Sequence, residues 1–228
     1  MEVFDLEKEI SGYIGRLLRE NFGRGPSNVF CSISSPYVSV YVTNFLSPME
    51  KTLMGNQQSV YVQKTRDLMM ETLEKEITAF IEDHTEERVK EFYYDWNLDV
   101  KTGMFLFVLE NEHPKNFEFY SNQDGVHKEI DDLSMEIQKA PEHTFSKFLN
   151  ERTLIIIRVG ILISIEKEFI HLGFQETLKI AKRTLEKRVI NDHKNNFEGF
   201  LNAQLVDYFV DWNFDKDKSY TLFIIKPH

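Results

Sequence analysis

The chain is short of cysteine, positive charge and long apolar runs, and each shortage excludes something. One cysteine, Cys31, cannot make an internal disulfide or a multi-cysteine metal site. Against 37 acidic residues stand only 27 Lys and Arg, a net charge of −10, whereas a phosphate lattice wants clustered positive charge, so nucleic acid is not an expected partner. The longest apolar run, 154–165, is broken by Arg158 and Gly160 and falls short of the ~20 residues of a spanning helix. Its β-branched content reads instead as a buried strand. The acidic start, Met1 to Glu7, lacks the basic and apolar segments of a signal peptide, so the expected location is the cytoplasm.

Chemistry-bearing motifs are missing too. There is no G-x-S-x-G, no phosphate-binding P-loop and no dinucleotide fingerprint. Seven histidines show no ligand spacing, and Cys31 falls in a predicted strand as a buried, inert thiol. No catalytic residue, cofactor or metal is therefore expected.

What is present is ample material for a core, with 42% hydrophobic and 13% aromatic residues in 228. That length suits one large domain or two small ones. Both tryptophans sit in one tripeptide, Asp95-Trp96-Asn97 and Asp211-Trp212-Asn213, 116 residues apart. The same spacing relates Glu50-Lys51 to Glu166-Lys167, Phe92-Tyr93 to Tyr208-Phe209, and Leu106-Phe107-Val108 to Leu222-Phe223-Ile224. Lys8-Glu9-Ile10 matches Lys128-Glu129-Ile130 after a small shift. Twice this spacing nearly exhausts the chain, which reads as a tandem duplication of whole domains.

Each half shows one order of elements. Ile10, Ile14, Leu17 and Leu18, and Val126, Ile130, Leu133 and Ile137, mark a first amphipathic helix. Strands follow at about 28–33 and 37–45, across Ser34-Ser35-Pro36, and at about 143–149 and 153–162. A long helix turns Met69, Leu73, Ile77, Phe80 and Ile81 inward in one half, and Phe174, Leu178, Ala181, Leu185 and Val189 in the other. Polar-tipped hairpins, 88–96 to 104–109 and 204–212 to 220–225, close the halves. The expected fold is α+β: two tandem α-β-β-α-β-β domains, each an antiparallel sheet backed by two helices, related by a pseudo-two-fold. Residues 1–110 form the first repeat, 111–125 the linker and 126–228 the second.

The copies differ. Val38, Val40 and Val42 alternate with Ser39, Tyr41 and Thr43, as in a sheet with one covered face, but the counterpart strand is apolar on both. Either the first half or another chain covers that extra face, which leaves a homo-oligomer open. Arg158 falls on Val42, so either the register slips by one residue or Arg158 has a buried partner. Arg183 and Lys187 replace Asp67 and Glu71, complementary if the two-fold brings the long helices together and otherwise solvated.

Three constellations are candidates for function. Asp95-x-Asn97-x-Asp99 and its copy imitate a calcium loop, but Val100 or Lys216 stands at position 6 and Leu106 or Leu222 at position 12, so they read as a strand end and turn. Ser47-Pro48-Met49-Glu50 reads as a helix start with a capping box, Gly55 suiting its end. Glu50 with Arg66, and Glu166 with Lys182, keep their signs at the common spacing and read as a structural ion pair. Gly23, Arg24 and Gly25 occur in one copy only and offer an anion or ligand nest, or simply a helix end running into a turn.

At Phe22-Gly23-Arg24-Gly25-Pro26, Leu46-Ser47-Pro48-Met49-Glu50-Lys51-Thr52-Leu53, Lys64-Thr65-Arg66 and Phe105 to Leu109 the first half resembles the YbcI/MpsC-like bacterial family. Gly23 to Pro26, Leu46, Glu50, Leu53, Arg66, Asp95 and Phe107 to Glu110 carry the likeness, with Ser47 where Thr is usual. The second half keeps only Glu166, Lys182, Asp211 and the last strand. The resemblance implies association with a sodium-translocating, membrane-potential-generating system, with some relatives near proton-linked inorganic-carbon uptake. The expected function is thus a non-catalytic cytoplasmic accessory or regulatory protein, peripheral to a membrane transport complex through a protein partner. The alternative is a small-anion or metabolite sensor using the Gly-Arg-Gly-Pro turn.

Overall fold

The computed structural model describes residues 3–110 and 119–227, in two compact units, Met1–Lys115 and Asn116–His228. Of the predicted linker, 111–118 lies outside the described residues, and a helix already begins at Gln123.

The first unit runs α1 (Val3–Phe22), β1 (Asn28–Ser34), β2 (Tyr37–Thr43), α2 (Pro48–Gly55), α3 (Ser59–Thr85), β3 (Val89–Asn97) and β4 (Thr102–Leu109). The second runs α4 (Gln123–Ile137), β5 (His143–Asn150), β6 (Thr153–Val159), α5 (Ser164–His171), α6 (Gln175–Asp192), α7 (Lys194–Leu201), β7 (Ala203–Asn213) and β8 (Lys218–Pro227). Each unit is an antiparallel four-stranded sheet, β1-β2-β4-β3 or β5-β6-β8-β7, backed by helices. Since β2 and β4 are neighbours, the helical segment carries the chain to the far edge before the closing hairpin folds back.

Residues 116 apart occupy equivalent places. Tyr37 pairs with Val108 as Thr153 does with Ile224, and Trp96 with Gly103 as Trp212 does with Ser219. A β-bulge interrupts β3 between Val89 and Glu91, and β7 between Leu205 and Asp207. Left-handed backbone recurs at Asn44 and Gly160, Gln57 and Gly173, Glu86 and Asn202, and Lys101 and Asp217. Among the strands the first alone deviates: β5 carries one extra residue, absorbed by an irregularity between Phe148 and Asn150.

Both first helices bury the expected stripe, Ile10, Ile14, Leu17 and Leu18 in α1 and Val126, Ile130 and Leu133 in α4. Burial makes Ile130 the equivalent of Ile14, 116 residues on, so the Lys8-Glu9-Ile10 match is one helical turn out of step.

Four further expectations need correction. The α6 stripe is rotated from the one read off the hydrophobic residues: Phe174 and Ala181 are exposed, while Lys182, Arg183, Glu186, Val189 and Ile190 are buried. Paired charges supply that inward face, and a hydrophobicity pattern is blind to them. Arg183 and Asp67 are accordingly buried and not solvated. The alternation in β2 marks no solvent face, since Ser39 is buried and β4 is buried at every position. Finally, the second long helix is broken. Residues 175–201 match α3 end for end, but α6 stops where His193 replaces Ile77, and α7 resumes at Lys194. His193 there meets two α4 carboxylates, Glu129 at 2.5 Å and Glu136 at 3.2 Å.

Candidate functional site

The most organised polar group in the first unit lies where α2 starts against α3. Ser47 caps α2: its hydroxyl accepts from the Glu50 amide, and Glu50 Oε2 accepts from the Ser47 amide at 2.7 Å. The same carboxylate takes both forks of Arg66, from Nε to Oε1 at 2.7 Å and from Nη2 to Oε2 at 3.0 Å. Arg66 Nη2 also donates to the Phe45 carbonyl at 2.9 Å. The guanidinium carbon lies 4.5 Å from the Trp96 ring centroid, 4.7 Å from that of Phe45 and 5.9 Å from that of Phe22. Nη1 has no hydrogen-bond partner, and the ring quadrupoles supply the compensation that an oxygen does not.

Burial pushes the Glu50 carboxyl up, but the Arg66 hydrogen bonds and charge, with the Ser47 amide and hydroxyl, outweigh it and hold it below the usual carboxylate range. Arg66 is 0% exposed and Glu50 3%. The pair is enclosed and joins the first turn of α2 to α3.

In the second unit Lys182 Nζ donates to Glu166 Oε1 at 2.9 Å and lies 5.2 Å from the Trp212 ring centroid. Ile163 replaces Ser47, so only the amide half of the cap survives, its N–H reaching Glu166 Oε2 at 3.0 Å. Gln138 stands where Phe22 does and donates to both Glu166 oxygens, at 2.7 and 2.8 Å. The aromatic box has become a hydrogen-bonded one.

Arg158 extends this network. The register does not slip: Val42 pairs with Gly103 and Arg158 with Ser219, both 116 apart. Instead the guanidinium is fully partnered, by Ser219 Oγ at 2.9 Å, Ser134 Oγ at 2.9 Å and Glu186 Oε2 at 2.5 Å. Glu186 Oε1 lies 3.6 Å from Lys182 Nζ, which joins the two buried pairs into one chain.

Gly23 ends α1 with φ of 70°, a left-handed conformation that suits glycine. Arg24 is half-buried and, among the described residues, makes no hydrogen bond or ion pair. Gly25 gives room to Arg19, because an added Cβ would meet Arg19 Nε at 3.0 Å and the Gly15 carbonyl at 3.3 Å. In the calcium-like tripeptides, Asp95 and Asp211 each accept the following tryptophan amide, and Lys179 holds Asp211 at 2.8 Å. Among the described residues no three His, Cys, Asp or Glu side chains converge as metal ligands.

Sequence reasoning missed one further cluster. His127 Nε2 and the Tyr120 hydroxyl both lie 2.7 Å from Ser146 Oγ, and Gln123 donates to the Ser146 carbonyl at 3.0 Å. A histidine on a serine hydroxyl is the geometry of a nucleophile and its base. Here, however, the serine is 1% exposed and closed off by its own partners. Burial lowers the His127 pKa, against the pull of Asp131 and Asp124, and raises that of Tyr120 to about 12. Burial likewise pushes the Cys31 thiol up, away from nucleophilic character.

Residues 4–111 match the family model described as Na+-translocating membrane potential-generating system (MpsC). The first half of the chain is an MpsC-family domain. The matched span takes in the Gly23 to Pro26 turn, the Glu50–Arg66 pair and Trp96, and the second unit lies outside it. Comparison with curated proteins and with solved structures finds no match. The rebuilt polar interior of the second unit is thus the part of the molecule for which the MpsC-family domain gives no template. A residue-by-residue check at the 116 spacing would have exposed it, since Leu18, Val42, Met70 and Gly103 map onto Ser134, Arg158, Glu186 and Ser219.

Proposed function

We propose that this protein is a non-catalytic accessory or regulatory component of a sodium- or proton-linked membrane transport system, held at the membrane through a protein partner. The family match over residues 4–111 carries the reading. It is supported by the sealing of the buried acid–base pairs, which suits a scaffold more than a reaction centre. No helix of the described residues is long and apolar enough to cross a membrane, so attachment through a partner fits better than insertion. The experiment is fractionation of tagged full-length chain in its native host, with and without the cognate transporter and with the sodium gradient intact or collapsed. Enrichment on membranes that is lost with the transporter is expected; an unchanged soluble distribution in every condition contradicts the proposal.

The second unit is read as a diverged copy of the first. Common register, matching bulges and four matching left-handed turns support that origin. Divergence after copying leaves one unit free to keep the family's contacts while the other acquires new ones.

A second reading rests on the Gly23-Arg24-Gly25 turn. Two guanidinium groups, Arg24 and Arg19, flank it with no carboxylate partner among the described residues, and such a turn with spare cations suits a small anion. Thermal-shift measurement across phosphate, bicarbonate, sulfate and nucleotides tests it. A stabilisation abolished by Arg24→Ala is expected, and a flat panel removes the reading.

A further inference from the structure

Four core positions differ in kind between the halves, and they differ together. Leu18 on α1, Val42 on β2, Met70 on α3 and Gly103 on β4 belong to the apolar interior of the first unit. Their equivalents are Ser134 on α4, Arg158 on β6, Glu186 on α6 and Ser219 on β8, and the three other side chains are the ones that bind the Arg158 guanidinium. One residue of the set comes from each of four elements.

We propose that this set is a pairing code within the chain. It makes the main helices and central strands of the second unit compatible only with one another, so that two units of the same topology fold without trading parts.

The need follows from the likeness of the halves. The central strands share order and backbone register, so β2 and β6, and β4 and β8, are interchangeable as backbones. Exchange of equivalent segments is a characteristic misfolding route of repeated domains. The four positions penalise it on both sides. With β2 in the place of β6, Glu186 faces Val42 and has lost Arg158, keeping only Lys182 on its own helix at 3.6 Å. With β6 in the place of β2, the guanidinium sits among Leu18, Met70 and Gly103 with no acceptor. A trade of α3 and α6 separates the same pair. Each trade thus strands Arg158, and one stranded buried charge disfavours a mispaired form by roughly 10²–10³-fold.

Volume adds a second barrier. A Cβ at position 103 would meet the Trp96 ring at 2.4 Å and Val42 Cγ2 at 3.1 Å, so β8, which brings Ser219, does not fit the place of β4. Ser134 is matched to its role as well: its hydroxyl donates to the Ile130 carbonyl at 2.7 Å and accepts from Arg158. Ligand binding does not explain the set, because Arg158 and Glu186 are each 1% exposed. Stability alone does not explain it either, since apolar residues fill the same place in the first unit and buried ion pairs gain little over well-packed apolar groups.

The test compares refolding of four full-length chains after dilution from guanidinium chloride, read as the yield of native monomer and of exchanged dimer by size exclusion. The second-unit variant carries Ser134→Leu, Arg158→Val, Glu186→Met and Ser219→Gly, making both units apolar. The first-unit variant carries Leu18→Ser, Val42→Arg and Met70→Glu, making both polar; Gly103 is kept, because a Cβ there would meet the Trp96 ring. A sevenfold variant combines the two, so that the code is inverted but still distinguishes the units. The proposal expects each single-unit variant to lose native monomer by at least five-fold against the parent, and the sevenfold variant to regain most of it. Parent-like yields for the single-unit variants overturn it. So does a sevenfold variant that refolds no better than the single-unit ones, since the residues would then serve only the core of their own unit.

Discussion

Replacing Glu50 by Gln removes one charge and little else. The amide keeps an oxygen for the Ser47 N–H, so the cap of α2 survives, but Arg66 is left 0% exposed without its counter-charge. Removing one partner of a buried pair costs about 3–5 kcal/mol. Glu50→Ala also loses the cap, adding about 1 kcal/mol. Adding Arg66→Met to Glu50→Gln removes the stranded cation, fills the aromatic box and recovers most of the loss. For a unit of this size each kcal/mol moves the midpoint by about 4–8 °C, so Glu50→Gln lowers the first unit's melting temperature by at least about 12 °C. Trp96 lies 4.5 Å from Arg66, and its fluorescence in a Trp212→Phe background follows that transition alone. A Glu50→Gln variant within about 0.5 kcal/mol of the parent, or a double variant no better than the single, refutes the assignment.

The same carboxylate sets an acid limit. Its folded pKa lies below the unfolded value, so its contribution is present above the unfolded pKa and lost as pH falls through the folded one. Urea midpoints of the first unit therefore drop under acid conditions in the parent and drop less in Glu50→Gln. His193 acts in the opposite sense. Partial burial lowers its pKa, but Glu129 and Glu136 outweigh that and raise it, so its contribution is full below the unfolded pKa and fades as pH rises through the folded one. Unfolding of the second unit, followed by Trp212 fluorescence in a Trp96→Phe chain, becomes easier across that interval, and His193→Gln flattens the dependence. Gly103→Ala drives a methyl into the Trp96 ring and destabilises the first unit by about 1–3 kcal/mol in urea titration.

Periodic signals were legible in the sequence because burial in these elements is apolar. The stripe of α1, the strand pairs and the closing hairpins all follow from side chains that leave water at helical or alternating spacing. The Glu50 cap was legible for a different reason, since Ser47, Pro48 and Glu50 satisfy orphan amides locally and need no distant partner. The face of α6 was not, because Lys182, Arg183 and Glu186 look like surface residues until their partners on α5, β6 and β7 are placed. Arg158 shows the limit most clearly. Its spacing gave the right address, but only the three-dimensional neighbours Ser134, Glu186 and Ser219 explain how a cation lives there. His193, at the break, likewise finds its carboxylate partners more than fifty residues away.

Each unit is built around a buried arginine or lysine held by an acid, with Arg66 and Arg158 as the most enclosed cations. Hydrogen exchange at the arginine Nε positions of 15N-arginine-labelled full-length chain measures this directly, with Arg66→Lys and Arg158→Lys giving the assignments. Slow exchange is predicted at both, since their Nε protons go to Glu50 and Ser219 out of contact with water. Solvent-like exchange at either one contradicts the claim.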